Sequence, residues 1–103
     1  MRLLTEELKS RLPPLYSQEG EGDPVVHAKF FLPGTRWTWW VIEGEPRGED
    51  FLFFGFVNGL DDEFGYFCLS ELESARNPLG LCVEIDSGFE PGRLTDVVPA
   101  PDL

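Results

Sequence analysis

Ala28-Lys29-Phe30-Phe31-Leu32, then Trp37-Thr38-Trp39-Trp40-Val41-Ile42, then Phe51-Leu52-Phe53-Phe54-Gly55-Phe56-Val57 follow one another closely, with Tyr66-Phe67-Cys68-Leu69 as a fourth run. Each run is short, rich in β-formers and closed by Gly, Pro or charged residues, the pattern of successive antiparallel strands. They predict an α+β fold whose frame is an antiparallel sheet of four to five strands, a meander over residues 25–69. Val25 to Leu32 alternates, with Val26, Ala28, Phe30 and Leu32 on one expected face and Val25, His27, Lys29 and Phe31 on the other. Pro33-Gly34-Thr35-Arg36 supplies the next turn. Trp37–Ile42 and Phe51–Val57 have no polar face, so both are expected to be central strands covered on two sides, unless one side is a binding surface.

The punctuation between the runs sets the remaining expectations. Glu43 to Asp50 is acidic, contains Gly44, Pro46 and Gly48, and reads as a mobile hairpin loop. Asn58-Gly59 is a tight-turn signal, but Asp61-Asp62-Glu63 and Gly65 beyond it favour a longer loop. Ser70 and Glu73 have capping-box spacing and predict a helix over about 71–76, stopped before Pro78. Leu81 to Ile85 reads as a short fifth strand. Gly88, Pro91, Gly92, Pro99 and Pro101 exclude a long element after it, while Phe89, Leu94, Val97 and Val98 are expected to attach this tail to the body and 99–103 to fray.

Toward the N-terminus, Thr5 is a good helix cap, Glu6 and Glu7 complement the positive end of the dipole, and Lys9 and Arg11 the negative end. A helix over about 5–12 is predicted, with Leu4, Leu8 and Leu12 as its apolar stripe and Pro13-Pro14 as its stop. So short a helix must dock its leucines on the sheet to persist. Residues 13–24 read as an extended connector, pinned by Leu15 and Tyr16.

A chain of 103 residues with these patterns is expected to be one domain. Eight basic against nineteen acidic side chains leave a formal charge of -11, which disfavours direct binding of nucleic acid or anionic membranes and favours a protein partner with a basic surface. Met1-Arg2-Leu3-Leu4 meets Thr5-Glu6-Glu7 before a signal-type apolar core can develop, so a cytoplasmic location is expected. Cys68 and Cys82 lie in apolar runs and are expected to be buried, reduced thiols; whether they pair depends on Cα separation, which sequence does not give.

Pro13-Pro14-Leu15-Tyr16, Lys29-Phe30-Phe31, Trp37-Thr38-Trp39-Trp40, Phe53-Phe54-Gly55 and Gly65-Tyr66-Phe67-Cys68-Leu69-Ser70-Glu71-Leu72 stand in this order along the chain. Carrying them, the sequence from Leu3 to about Leu94 resembles the domain of unknown function twenty-nine fifty-eight. The resemblance implies a setting on bacterial plasmids and other mobile elements, alone or attached to larger DNA-processing proteins. It implies no activity and no catalytic residues.

Read for chemistry, the residues offer little that is specific. His27 is the sole histidine, so any Cys–His pair would have to join it to Cys68 across neighbouring strands. One His and two Cys do not make a zinc module, Asp61-Asp62-Glu63 lacks the alternating ligand pattern of a calcium loop, and no glycine-rich phosphate loop is present. Carboxylate pairs drawn from Glu43, Glu71, Glu73 and Glu84 would serve an acid–base enzyme. The aromatic faces have the composition of a base-stacking platform but lack its basic groove. From Glu43 to Glu73 nine carboxylates face a single arginine, Arg47, and gathered on one end of the sheet they would imitate a phosphate track.

Three readings follow: a non-catalytic protein-interaction module, an acidic DNA mimic that inhibits a DNA-binding protein or nuclease, and a carboxylate-dependent enzyme. The candidate interaction face is Trp37, Trp39, Trp40, Asp61, Asp62, Glu63, Glu71 and Glu73. No catalytic residue, cofactor or metal ligand is assigned, and the sequence leaves open whether the tryptophans face core or water.

Overall fold

The computed structural model describes residues 3–98. In chain order its elements are α1 (Glu6–Arg11), β1 (Val25–Val26), β2 (Ala28–Phe31), β3 (Thr38–Arg47), β4 (Asp50–Asn58) and β5 (Asp62–Cys68). Then follow α2 (Leu69–Ser74), β6 (Glu84–Ile85), β7 (Gly92–Arg93) and α3 (Leu94–Val97). The fold is α+β, with an antiparallel five-stranded sheet in the order β5-β4-β3-β2-β6. β1 and β7 form a separate two-stranded ribbon. The two aromatic runs expected at the centre are central, and β2 through β5 follow the expected meander.

The alternation of those strands divides the core in two. On one face Phe30, Trp39, Val41, Phe53 and Phe67 are buried beneath α1 and α2, which contribute Leu8 and Leu72; this is the helix face. Phe53 is its centre, with Phe51, Phe67 and Phe30 ring centroids at 5.0, 5.5 and 5.8 Å. On the other, Trp40, Ile42 and Phe56 are buried with Val26 of β1 and with Leu94 and Val98 of the C-terminal segment; this is the tail face. Phe89 closes edge-on over Trp40 at 6.1 Å, so the tail is attached as expected. Residues 99–103, expected to fray, lie outside the described residues.

Thr5 caps α1 as expected, its side chain accepting the Leu8 N–H at 3.1 Å. The second helix begins earlier than the Ser70/Glu73 spacing suggested: Cys68 is the cap, and Glu71 accepts the Cys68 N–H at 3.0 Å. Ser70 is diverted because Asp50 accepts its N–H at 3.1 Å and also its hydroxyl. Asp23 does the same for α3, taking the Thr95 N–H at 3.0 Å and the Thr95 hydroxyl at 2.7 Å. Each short covering helix is thus anchored by an aspartate from another element.

Four further expectations are corrected. Glu43–Arg47 is not a mobile loop but the second half of β3, and the hairpin turns at Gly48-Glu49, with Gly48 at φ 61. Asp62 and Glu63 are not loop residues but open β5, leaving a short loop at 59–61. Val26 does not share a face with Ala28 and Phe30, because the chain breaks at His27 and carries Val26 to the tail-face core. Cys68 is half-buried and Cys82 exposed; both are free rather than buried.

Candidate functional site

The site begins with a register shift. In β3, Val41 pairs with Gly55 and Glu43 with Phe54, so Ile42 is an extra residue in a β-bulge. Ile42 and Glu43 therefore both point to the tail face, and Gly44 returns to the helix face. A Cβ on Gly44 would lie 2.6 Å from the Phe51 ring, so this strand position admits no side chain.

Glu43 is a buried carboxylate, 3% exposed, and the connector is built on it. β2 ends opposite Val41, leaving the second half of β3 free on that side, and the connector fills the gap. Gly44 N–H donates to the Pro13 carbonyl at 3.0 Å, and Glu45 accepts the Leu15 N–H at 3.0 Å. Glu43 accepts the Tyr16 N–H on one oxygen at 2.8 Å and the Gln18 N–H on the other at 2.6 Å. These bonds hold Tyr16 at φ 70, a left-handed conformation that costs a non-glycine residue about 1–2 kcal/mol. Leu15 is buried as expected, whereas Tyr16 is 60% exposed and turned toward Tyr66, with ring centroids 6.3 Å apart.

Between this connector and the β4–β5 hairpin lies a pocket of about 420 Å³. Its walls are Tyr16, Phe54, Phe64 and Tyr66, and Ile42 and Glu43 form its buried floor. The Phe54 ring stacks on Phe64 at 6.0 Å and meets Tyr66 at 5.0 Å, so the wall is one continuous aromatic surface. Glu19 and Glu21 stand at the exposed rim, and no Lys or Arg lines the pocket. Desolvation, then the neighbouring Tyr16, then the charges of Glu43 and Glu19 push the Tyr66 phenol above its ordinary range. Ring faces and carboxylates together make a place where positive charge is favoured.

The residues expected to form an interaction face are dispersed. Trp39 and Trp40 are buried on opposite sides of the sheet, Trp40 donating from its indole to Asn58 at 3.0 Å with the Lys29 ammonium 4.8 Å from its ring centroid. Trp37 is half-buried, stacked on Trp39 at 5.8 Å, and lines with Glu71 a shallow groove beside α2 on the helix face. Asp61 sits in the β4–β5 loop, Asp62 pairs with Arg36 at 2.7 Å, and Glu63 and Glu73 are exposed. The nine carboxylates are spread likewise: Glu43 is buried, and Glu45, Asp50 and Glu71 hold backbone N–H groups of other segments. Glu43 is in the pocket, but Glu71, Glu73 and Glu84 are not.

Cys68 on β5 and His27 beside β2 are separated by β4 and β3, so they are not on neighbouring strands. Burial, then the Glu71 and Asp50 carboxylates, push the Cys68 thiol up, the opposite of activation. His27 is half-buried, and burial first, then the Arg11 charge, lowers its pKa. Among the described residues no three His, Cys, Asp or Glu side chains converge as a cation's ligands would. No described helix is long and apolar enough to cross a membrane.

Sequence reasoning reached Glu43 only as one acid among many, and missed Tyr16, Phe54, Phe64 and Tyr66 as a group. The alternation Asp62-Phe64-Tyr66 was available as a signal, since it places both rings on one face of a strand.

The fold and pocket define a small α+β protein with an acidic, aromatic-walled cleft on one side of its sheet. Residues 3–98 match the family described as protein of unknown function (DUF2958), and the chain belongs to that family. No curated protein and no solved structure matches it.

Proposed function

We propose that this chain is a non-catalytic protein-interaction module whose tail-face pocket receives a cationic side chain of a basic protein partner. One observation carries the reading: four aromatic side chains surround a buried carboxylate in a pocket that contains no cation of its own. A Lys or Arg head group entering it gains the ring quadrupoles and the Glu43 charge, an attraction worth about 1–2 kcal/mol when partly desolvated. The formal charge of -11 adds long-range steering toward a basic surface. Both Glu43 oxygens already hold backbone N–H groups, which suits a fixed counter-charge better than a proton-transfer group. The family resemblance adds the setting, a partner in plasmid or phage biology within the cytoplasm.

Calorimetric titration with a lysine-rich peptide tests this. Binding should weaken with salt and fall by about tenfold when Phe64 and Tyr66 are both changed to Ala, the loss of roughly 1–2 kcal/mol of ring contact. Both rings are half-exposed, so that variant should remain folded. Equal binding of a glutamate-rich peptide, or affinity indifferent to the double change, would overturn the proposal.

A further inference from the structure

The sheet ends very differently at its two edges. β6 is a two-residue strand, whereas β5 is a seven-residue strand whose outer side pairs with no strand among the described residues. A long open strand presents a row of unpaired N–H and C=O groups, and folds usually blunt such a row. β5 is not covered: Phe64 is 45% and Tyr66 50% exposed, and Asp62 and Glu63 are exposed beside them. Gly65 sits between the two rings with nothing within 4 Å of where a Cβ would stand, leaving a notch on the helix-face side of the edge.

From this geometry we infer that β5 is a strand-addition site, and that its occupant is an extended basic segment of the partner. The inference rests on the proposed function for the partner's basic character and adds how its backbone is held. An added strand lies about 4.8 Å outside β5, and its side chains alternate between the two faces. Those on the tail face fall beside Asp62, Phe64 and Tyr66, where Lys or Arg would lie against the rings and the carboxylate. The one opposite Gly65 on the other face has room to be large, and Glu63 is its neighbour. A second copy of this chain is the competing occupant, but it would bring another charge of -11 to an edge that already carries Asp61, Asp62 and Glu63. Those acids exclude a like edge and admit a basic one.

The added strand reaches Phe64 and Tyr66 but not Glu43, which is two strands further in, so backbone pairing and pocket binding are separable. The probe is a peptide of β5's length alternating Lys and Thr with a central Tyr, offered to the full chain as made and also N-methylated throughout. The unmodified peptide should slow hydrogen exchange of β5 amides around 62–66, and N-methylation should weaken binding by about tenfold or more through lost backbone hydrogen bonds. Equal binding of both peptides, with β5 amides unprotected, would overturn strand addition while leaving the pocket proposal standing. No binding of either would overturn both. A version with Glu in place of Lys that binds as well would overturn the basic occupant. Protection of β5 that grows with protein concentration and needs no peptide would assign the edge to a second copy and likewise overturn it.

Discussion

On the helix face Phe53 is fully buried against three other rings, with two amphipathic helices above it. On the tail face Phe64, one strand away in the same sheet, touches Phe54 and Phe56 and leaves 45% of its surface in water. The same side chain thus serves as core on one side and as exposed wall on the other. The difference lies in what each face has available to cover it. α1 and α2 extend over β4 and β5, whereas the C-terminal segment reaches only the β1, β3 and β4 residues Val26, Trp40, Ile42 and Phe56. The uncovered remainder of the tail face is where the pocket forms. It shows that an apolar sheet in a short chain can be completed on one side and left partly open on the other.

The sharpest way to break the contrast is to truncate the two phenylalanines in turn. Phe53→Ala should cost about 3–5 kcal/mol, from lost transfer energy and the cavity left behind. Phe64→Ala should cost roughly 1 kcal/mol or less, the scale of a cross-strand contact. Urea midpoints for the two variants measure this, and similar losses would mean the faces are not unlike after all.

Between those extremes falls Glu43→Leu, which removes the acceptor of the Tyr16 and Gln18 N–H groups. A loss of roughly 1–3 kcal/mol is expected from stranding them, with faster hydrogen exchange at those two amides. Glu43→Gln keeps one carbonyl acceptor and should lose less. If exchange in the connector were unchanged by either substitution, Glu43 would not be what holds it.

The smallest effect compares the two anchoring aspartates. Hydrogen bonds from Thr95 to Asp23, and from Ser70 and the Phe51 N–H to Asp50, hold both carboxyls below the ordinary Asp value. A carboxyl depressed in the folded state contributes stability above the unfolded pKa of 3.8 and loses it as pH falls through the lower folded value. Asp23→Asn and Asp50→Asn should each shallow the acid limb of stability against pH below that value. Acid titration of urea stability reads it, and unchanged curves would show that neither anchor contributes.

Much of the sheet was legible because alternation and turn residues are local signals. Phe51–Val57, with no polar face, had to be central, and Thr5 had to cap a helix. The second half of β3 was not legible, since Glu43-Gly44-Glu45-Pro46-Arg47 has the composition of a surface loop. What makes it a strand is supplied from elsewhere: N–H groups 25 and 27 residues away satisfy Glu43. The same holds for Asp50 and Asp23, whose partners are 20 and 72 residues distant, and for the pocket, whose walls come from the connector and two strands. Glu71 was legible as a capping-type residue only in the wrong register, because Asp50 draws Ser70 away.

Ile42 has a consequence for how this chain tolerates changes in length. Losing one residue from a strand ordinarily inverts every side chain that follows, burying acids and exposing rings. Here the ladder already carries one residue more than its partner strand, so deleting Ile42 would straighten it. Glu43, Gly44 and Glu45 would stay on the sides they now occupy. This hairpin can shorten by a single residue at that point with only the loss of one isoleucine's packing.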